Sequence, residues 1–428
     1  MIEKYFNIGK KLFPINRSIT GKGTLKSLNL ISSNFKNFRI KNFNCGKKVF
    51  DWKIPSEWNV ADAYILDKNN KKIVDFKKNN LHLVGYSKKT FLTLNKKNLL
   101  KKLHSLKKYP NAIPYITSYY KKYWGFCVTE KFKKSIIKNY SSTDMFKIHI
   151  KSNFNRKGLL NYGEYFLKGR VKKEILISTY ICHPSMANNE LSGPIVSMAL
   201  MSYFANLRNY YSIRFLFIPE TIGSIAYISK NLSKLKSNVL CGFNITCIGD
   251  ELNHSYILSK YKDSPSDEAL LNSYKILKIK KPLEFSFLER GSDERQYNSP
   301  GVDLKVTSVF RTKFEEFKEY HTSLDNFNFI TKKGIRGGFN VIKKAIQIIQ
   351  KKRYPSSKIL CEPFLTKRNL YPTLSKAEKV NMKTSNILNF LQYSDGKNSL
   401  EKISKLIKTD IKKTRDIYKN LKKIKLIN

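Results

Sequence analysis

The sequence predicts an α/β fold: a mostly parallel or mixed sheet covered by helices, with a β-rich insertion and a small C-terminal winged-helix domain. Three observations predict it. Apolar runs of strand length at 174–181 and 212–218 are continuous rather than alternating, as strands buried on both faces must be. Segments with helical periodicity lie between such runs. Between about 49 and 157 the texture changes to short alternating runs separated by Asn, Lys, Pro and Gly, the pattern of a half-exposed sheet.

Taken in order, residues 1–32 read as helix, interrupted by Phe13-Pro14 and resumed after the turn-forming Thr20-Gly21-Lys22-Gly23. In the β-rich stretch, short strands are expected at 63–66, 81–84, 124–128 and 146–150, with one Lys-rich helix near 96–107. From about 160 the order is strand, loop, helix, repeated. Strands are expected at 174–181, 212–218, 239–248 and 302–310, and helices at 194–207, 222–235, 266–277 and 338–351. The tail holds three short helical patterns, 386–393, 400–407 and 411–424, with a turn at Ser394-Asp395-Gly396. Three such helices fit a winged helix. The chain thus divides into a core of 1–48 and 158–353, an inserted module of 49–157, a connector of 354–384 and a winged-helix-like unit of 385–428.

A chain of 428 residues is too long for one ordinary domain. No stretch reaches the ~18 apolar residues of a membrane span, and MIEKYFNIGKK lacks the apolar run of a signal peptide, so a cytoplasmic protein is expected. The six cysteines are scattered without a CxxC pair, which fits reduced, buried thiols rather than a disulfide framework. The net charge is +49, carried by 68 lysines against 13 arginines. The excess runs along the whole chain instead of concentrating in Arg, the residue that reads phosphates and bases bidentately, so specific nucleic-acid binding is not expected. A homo-oligomer is compatible with the sequence.

Ligands of open α/β sheets collect at the carboxyl ends of the strands, so the residues that follow each strand matter most. The first core strand is followed by His183, with Asn188, Asn189 and Glu190 a few residues on. The second is followed by Pro219-Glu220, the third by Gly249-Asp250-Glu251, and the fourth, past Arg311, by Glu319-Tyr320-His321. A lone histidine after a strand is more often a packed or capping residue than a ligand. Two imidazoles, several carboxylates and an amide at one sheet edge form instead the donor mixture of one or two zinc ions at a hydrolytic centre. The donors at this edge are His183 and His321, the carboxylates Glu190, Glu220 and Asp250, and Asn189.

A second cluster, Arg290-Gly291-Ser292-Asp293-Glu294-Arg295-Gln296-Tyr297, packs its charges beside a glycine. As a substrate-facing loop it offers Asp293 or Glu294 for proton transfer, alongside Glu220, and Arg295 for pairing with a carboxylate. Tyr297 and Asn188 join Arg295 as candidate substrate contacts.

This order of motifs resembles the co-catalytic zinc aminopeptidases. It is closer still to a bacterial aminopeptidase-like family linked to surface-polysaccharide gene clusters. Carrying the resemblance are Phe13-Pro14-Ile15 with Arg17-Ser18-Ile19-Thr20-Gly21, Val49-Phe50-Asp51-Trp52, Trp58-Asn59-Val60 and the segments 180–193, 217–224, 247–250, 291–297 and 319–326. The resemblance implies that His183, Asp250 and His321 hold metal and that Glu220 stands in a pair of Glu residues, one a base and one a ligand. If a metal is bound, Asp325, four residues past His321, is a candidate acceptor to fix its tautomer. Two departures stand out. Pro219 replaces the first Glu of the pair, and Asn189 replaces the bridging Asp, with Glu190 next to it as a substitute.

The leading reading is a zinc-dependent amide or peptide hydrolase acting on a small peptide, amino-acyl or acylated-sugar substrate, tied to surface-polysaccharide biosynthesis. The two departures motivate a second, a catalytically silent sugar- or peptide-binding scaffold. A third is a nucleic-acid binder using the basic tail with Lys412, Lys413, Arg415, Lys419, Lys422 and Lys423.

Overall fold

In the computed structural model, which describes residues 1–371 and 382–428, the chain opens with α1 (Ile2–Leu12), α2 (Lys22–Ser32) and β1 (Arg39–Asn44). Next come the short ladder of β2 (Lys48–Val49) and β3 (Trp52–Lys53), then β4 (Glu57–Leu66), β5 (Lys72–Asp75), β6 (Thr90–Asn95) and α3 (Lys96–Leu100). The two-residue strands β7 (Leu103–His104) and β8 (Phe126–Cys127) precede α4 (Glu130–Asn139) and β9 (Met145–Asn155). The core continues through β10 (Leu159–Leu167), β11 (Val171–Tyr180), α5 (Ser192–Ala205), β12 (Tyr211–Ile218), α6 (Ile222–Asn238) and β13 (Val239–Ile245). It closes with β14 (Ser255–Ile257), α7 (Pro265–Ile276), β15 (Leu283–Phe285), α8 (Glu294–Tyr297), β16 (Val306–Phe310) and α9 (Lys332–Lys351). The tail holds α10 (Met382–Gln392), α11 (Leu400–Leu406) and α12 (Ile411–Lys423). Part of the expected connector, 372–381, lies outside the described residues.

The main sheet has eight strands in the order β1-β10-β12-β11-β13-β16-β14-β15. Its centre, β12-β11-β13-β16, is parallel, while β10 runs antiparallel to β1 and β12, and β14 runs antiparallel to β16 and parallel to β15. Ile175 and Ile177 of β11 pack with α1, α5 and α9 on one face. Leu176 packs on the other face with α6 and with Trp58, Ile65, Phe146 and Ile148 of the second sheet. Coverage on both faces explains the unbroken apolar run. That second sheet, β5-β4-β9-β6, is antiparallel. The tail has its own core around Phe390, Ile403 and Leu421. No helix among the described residues is long and apolar enough to cross a membrane.

Several expectations need correction. The run 81–84 is not a strand: Asn79 caps a 3₁₀ turn, Asn80–His82. The Lys-rich helix stops at Leu100, and a second helix, α4, starts under a Thr129 cap. The strand expected at 302–310 begins only at Val306, because Asp303 and Lys305 sit at φ +47° and +55°, which extended backbone does not allow. The strand expected to reach 248 ends at Ile245, before Cys247 at φ +46°. Helix α9 starts six residues earlier than expected, under a Thr331 cap. Its early glycines hid that start. Gly334 is there because a Cβ would stand 2.0 Å from the Gly249 oxygen. Strands β1, β10, β14 and β15 had no clear sequence signal.

Gly193 shows how tightly α5 is seated at the strand ends. A Cβ there would meet the Thr179 hydroxyl at 2.2 Å and the Ile245 oxygen at 2.4 Å. We expect Gly193→Ala to destabilise the protein by at least ~2 kcal/mol through overpacking, read as a lower urea midpoint. An unchanged midpoint would show that the helix can lift off the sheet without cost.

Candidate active site

At the carboxyl edge of the parallel strands, the backbone is bent in ways side chains resist. Ser185, Thr221, Cys247 and His321 lie at φ +43°, +62°, +46° and +53°. Such values are uncommon outside glycine, most of all for a β-branched residue, and they gather at functional sites. The link from β11 to α5 closes as a π-helical turn, Ala187–Leu191, a form also frequent at such sites.

His183 is the centre of a buried chain of charged groups. Its Nδ1 lies 2.9 Å from Oε2 of Glu190. The other Glu190 oxygen lies 3.4 Å from Nε of Arg17, and both of these side chains are fully buried. Nε2 of His183 faces Oε2 of Glu220 at 3.7 Å. Glu220 keeps 22 % of its side chain exposed and accepts from the Ser292 hydroxyl at 2.8 Å. Burial raises the Glu220 pKa, against the pull of His183. For His183 burial opposes protonation, yet Cys182 and Glu190 outweigh it and hold the pKa well above its usual value. His321 is pushed down to about 3 by burial and by the charge of His183.

The sequence-derived candidates fall into two sets. His183, Glu190, Glu220 and His321 come together, with the rings of His183 and His321 5.6 Å apart. Asp250 does not join them as a free donor. Its oxygens accept from Thr312, through backbone and hydroxyl, from Asn188 Nδ2 and from Leu252 N. Asn188 is consumed by that contact and by Gly249 N, and it is fully buried. Oδ1 of Asn189 accepts from the Tyr180 hydroxyl at 2.9 Å and the Cys247 thiol at 3.5 Å.

In the second cluster, Glu294 accepts from Gly291 N, Ser292 N, Asn244 Nδ2 and Ser308 Oγ, so it pins the loop. Asp293 accepts from Thr221 N and Ser224 Oγ. Burial and the nearby Glu220 charge push its carboxyl up to about 7. Arg295 donates to the Thr221 hydroxyl at 2.6 Å. These residues hold the strained Thr221 turn that presents Glu220. Tyr297 is 0 % exposed and bonds to Ser178 inside the core, so it is no surface contact for a substrate. Asp325 is also corrected: its carboxylate accepts from the backbone N–H groups of Ala187, Asn188 and Asn189, not from His321. Burial lifts its pKa to about 7 against those three donors.

Two participants escaped the sequence reading. Arg17 was noted in a motif but given no task. Tyr115, from the stretch between β7 and β8, stands over both imidazoles, 5.3 Å from the His183 ring and 5.2 Å from the His321 ring. Its backbone N–H donates to the His321 oxygen at 2.8 Å. No local pattern could pair residues so far apart in the chain.

The donors present offer no free bridging carboxylate. A two-ion centre needs a bridging carboxylate, but Asn189 is neutral and already bonded, Glu190 is matched by Arg17, and Asp250 is saturated. Among the described residues, Cys182, His183 and Glu190 bring ligand atoms within 4.8 Å of one another. Burial raises the Cys182 thiol to about 11, and a zinc ion bound there would draw off its proton. The Glu220 carboxylate lies 3.7 Å from His183 Nε2 and the His321 ring 5.6 Å from the His183 ring, but among the described residues these three do not converge as that trio does.

Comparison with known proteins gives a consistent result. Residues 6–352 match the family model described as a domain of unknown function, DUF4910, and residues 352–428 match a winged helix-turn-helix model. A Clostridium acetobutylicum protein provisionally named for polysaccharide biosynthesis with an aminopeptidase-like domain is 38 % identical over 400 residues, covering 92 % of this chain and 89 % of its own. The crystal structure of a protein from Clostridium acetobutylicum, provisionally described as a peptidase, superposes with a TM-score of 0.79 at 35 % identity, covering 100 % of this chain and 96 % of that one. The zinc aminopeptidase of Bacillus subtilis shares the fold, with a TM-score of 0.59 at 14 % identity over 82 % of this chain and 95 % of its own.

Proposed function

This chain belongs to the DUF4910 family, whose aminopeptidase-like fold it carries together with a C-terminal winged helix-turn-helix domain, and from that premise we propose that it is a peptidase-type amide hydrolase. The supporting observation is the pair of His183 Nε2 and Glu220 Oε2, 3.7 Å apart at the open end of the strands. We assign one zinc ion to the site, held by His183 and His321 with Glu220 beside it. Zinc would polarise a carbonyl and lower the pKa of a bound water to about 7.

The chain's own residues do the rest. Arg17 fixes Glu190, and Glu190 accepts the Nδ1 proton of His183, which leaves Nε2 as the nitrogen that would hold the ion. Glu220 takes the proton of the attacking water and passes it to the leaving amine, work that suits a carboxylate of raised pKa. The Ser292 hydroxyl steadies its other oxygen. Tyr115 covers both imidazoles and keeps bulk water from them. The substrate is a small amino-acyl or acylated-sugar amide, in line with the polysaccharide-biosynthesis name of the Clostridium relative.

Protein purified without chelators or a metal-affinity tag is expected to hold about one zinc per chain, and His183→Ala to hold markedly less, measured by elemental analysis. Activity is read on amino-acyl p-nitroanilides and N-acylated sugars. The Arg17–Glu190 pair, which occupies a carboxylate the zinc aminopeptidase pattern needs, favours the alternative of a silent binding scaffold. No zinc uptake and no hydrolysis, even with zinc supplied, would leave that alternative standing.

A further inference from the structure

Next to the site lies a groove of about 750 Å³, within the size range of small-molecule pockets. Tyr86, Tyr119, Tyr120 and Phe154 form its aromatic walls. Lys53, Lys88, Lys121, Lys122 and Arg156 ring it, and no Asp or Glu lines it. Other grooves of this chain are also lined by five or six cations and no carboxylate, so what sets this one apart is its contact with the candidate site through Tyr119.

The aromatics are placed at a cost. Tyr86 and Tyr119 sit at φ +63° and +37°, unusual for bulky side chains. Tyr120 is 55 % and Phe154 44 % exposed, and Trp52, 43 % exposed, leans on Tyr120 at 6.2 Å. The groove also communicates with the site. The Tyr119 hydroxyl lies 3.1 Å from that of Tyr115, whose ring contacts His183 and His321. A ligand lying against Tyr119 would point toward the histidines.

We propose that this groove binds a phosphorylated sugar, with the ring against the aromatic faces and the phosphate against the lysines. The groove then selects the substrate whose amide is cut beside it. The selection step rests on the hydrolase reading above; the binding does not. Lysine suits phosphate as a mobile point charge, and aromatic faces suit the apolar face of a sugar ring. A nucleotide shares the phosphate and the stacking, so it forms one arm of the test.

The test is calorimetry on the full chain at physiological ionic strength with glucose 1-phosphate, glucose, inorganic phosphate and ATP. Glucose 1-phosphate is expected to bind at least about tenfold tighter than glucose or phosphate alone. Tyr120→Ala and the pair Lys121→Ala with Lys122→Ala should each weaken it by roughly fivefold to tenfold. Tyr120, Lys121 and Lys122 stand at the surface, so these variants keep the fold. Inorganic phosphate binding as well as glucose 1-phosphate, or variants binding like the parent, would overturn the proposal and reduce the groove to general anion attraction by a chain of net charge +49. Tighter binding of ATP would overturn the sugar assignment. Groove binding without any hydrolysis would keep this inference and remove the hydrolase reading.

Discussion

Glu220→Gln is expected to lower amide hydrolysis by at least about 100-fold, the usual scale for losing a general base, while the urea midpoint stays put. Glutamine keeps the size of the side chain and its contact with Ser292, but it cannot take a proton from water. Glu220 is the carboxylate with access to solvent among those gathered around His183, with 22 % of its side chain exposed. Asp293, Glu294 and Asp325 are each 0 % exposed; Glu294 and Asp325 are consumed by their donors, and Asp293 has Oδ1 held by Thr221 N and the Ser224 hydroxyl. Zinc content separates the two tasks a carboxylate can have here. Retained zinc with lost activity identifies Glu220 as the base. If zinc is lost as well, Glu220 is a ligand. Full activity in the variant would remove it from the mechanism altogether.

Arg17→Met should cost about 3–5 kcal/mol of stability, because it leaves the Glu190 charge buried without its partner. Arg17 also donates through Nη1 to the carbonyls of Leu12 and Ile15, so it ties the end of α1 to the floor of the site. Urea unfolding measures the loss. Combining Arg17→Met with Glu190→Leu replaces the pair by apolar groups and is expected to recover most of the stability. Activity should not return, since His183 then lacks the acceptor that orients it. Recovery of activity in the double variant would show that Glu190 does not position His183. A single Arg17→Met variant as stable as the parent would mean that water reaches Glu190.

Much of the candidate site is legible in the sequence alone. His183, Glu190, Glu220 and His321 each follow a core strand, and the rule that ligands gather at strand carboxyl ends needs only the strand positions. The inner strands were readable because burial on both faces demands an unbroken apolar run. The outer strands β1, β10, β14 and β15 were not. β1, β14 and β15 are half-covered or short, and β10, though buried from Leu160 to Tyr165, breaks its apolar run with Asn161, Gly163 and Glu164. Asp250 and Tyr297 show the opposite failure. Their residue types fit ligand and substrate contact, but a residue type does not tell which donors its side chain will meet, and here Thr312, Asn188 and Ser178 supply them.

The sequence by itself determined the fold class, the three-helix tail and the sheet edge where chemistry gathers, because each follows from periodicities within one segment. Only the tertiary structure decided what that edge can hold. Arg17 comes from the first helical region, Glu190 from the π-helical turn, Tyr115 from the stretch between β7 and β8 and His321 from the loop after β16, and their contacts span most of the chain. Whether a carboxylate is free to bind metal depends on the partners that burial forces upon it. Burial belongs to the whole packed molecule, not to any stretch of its sequence.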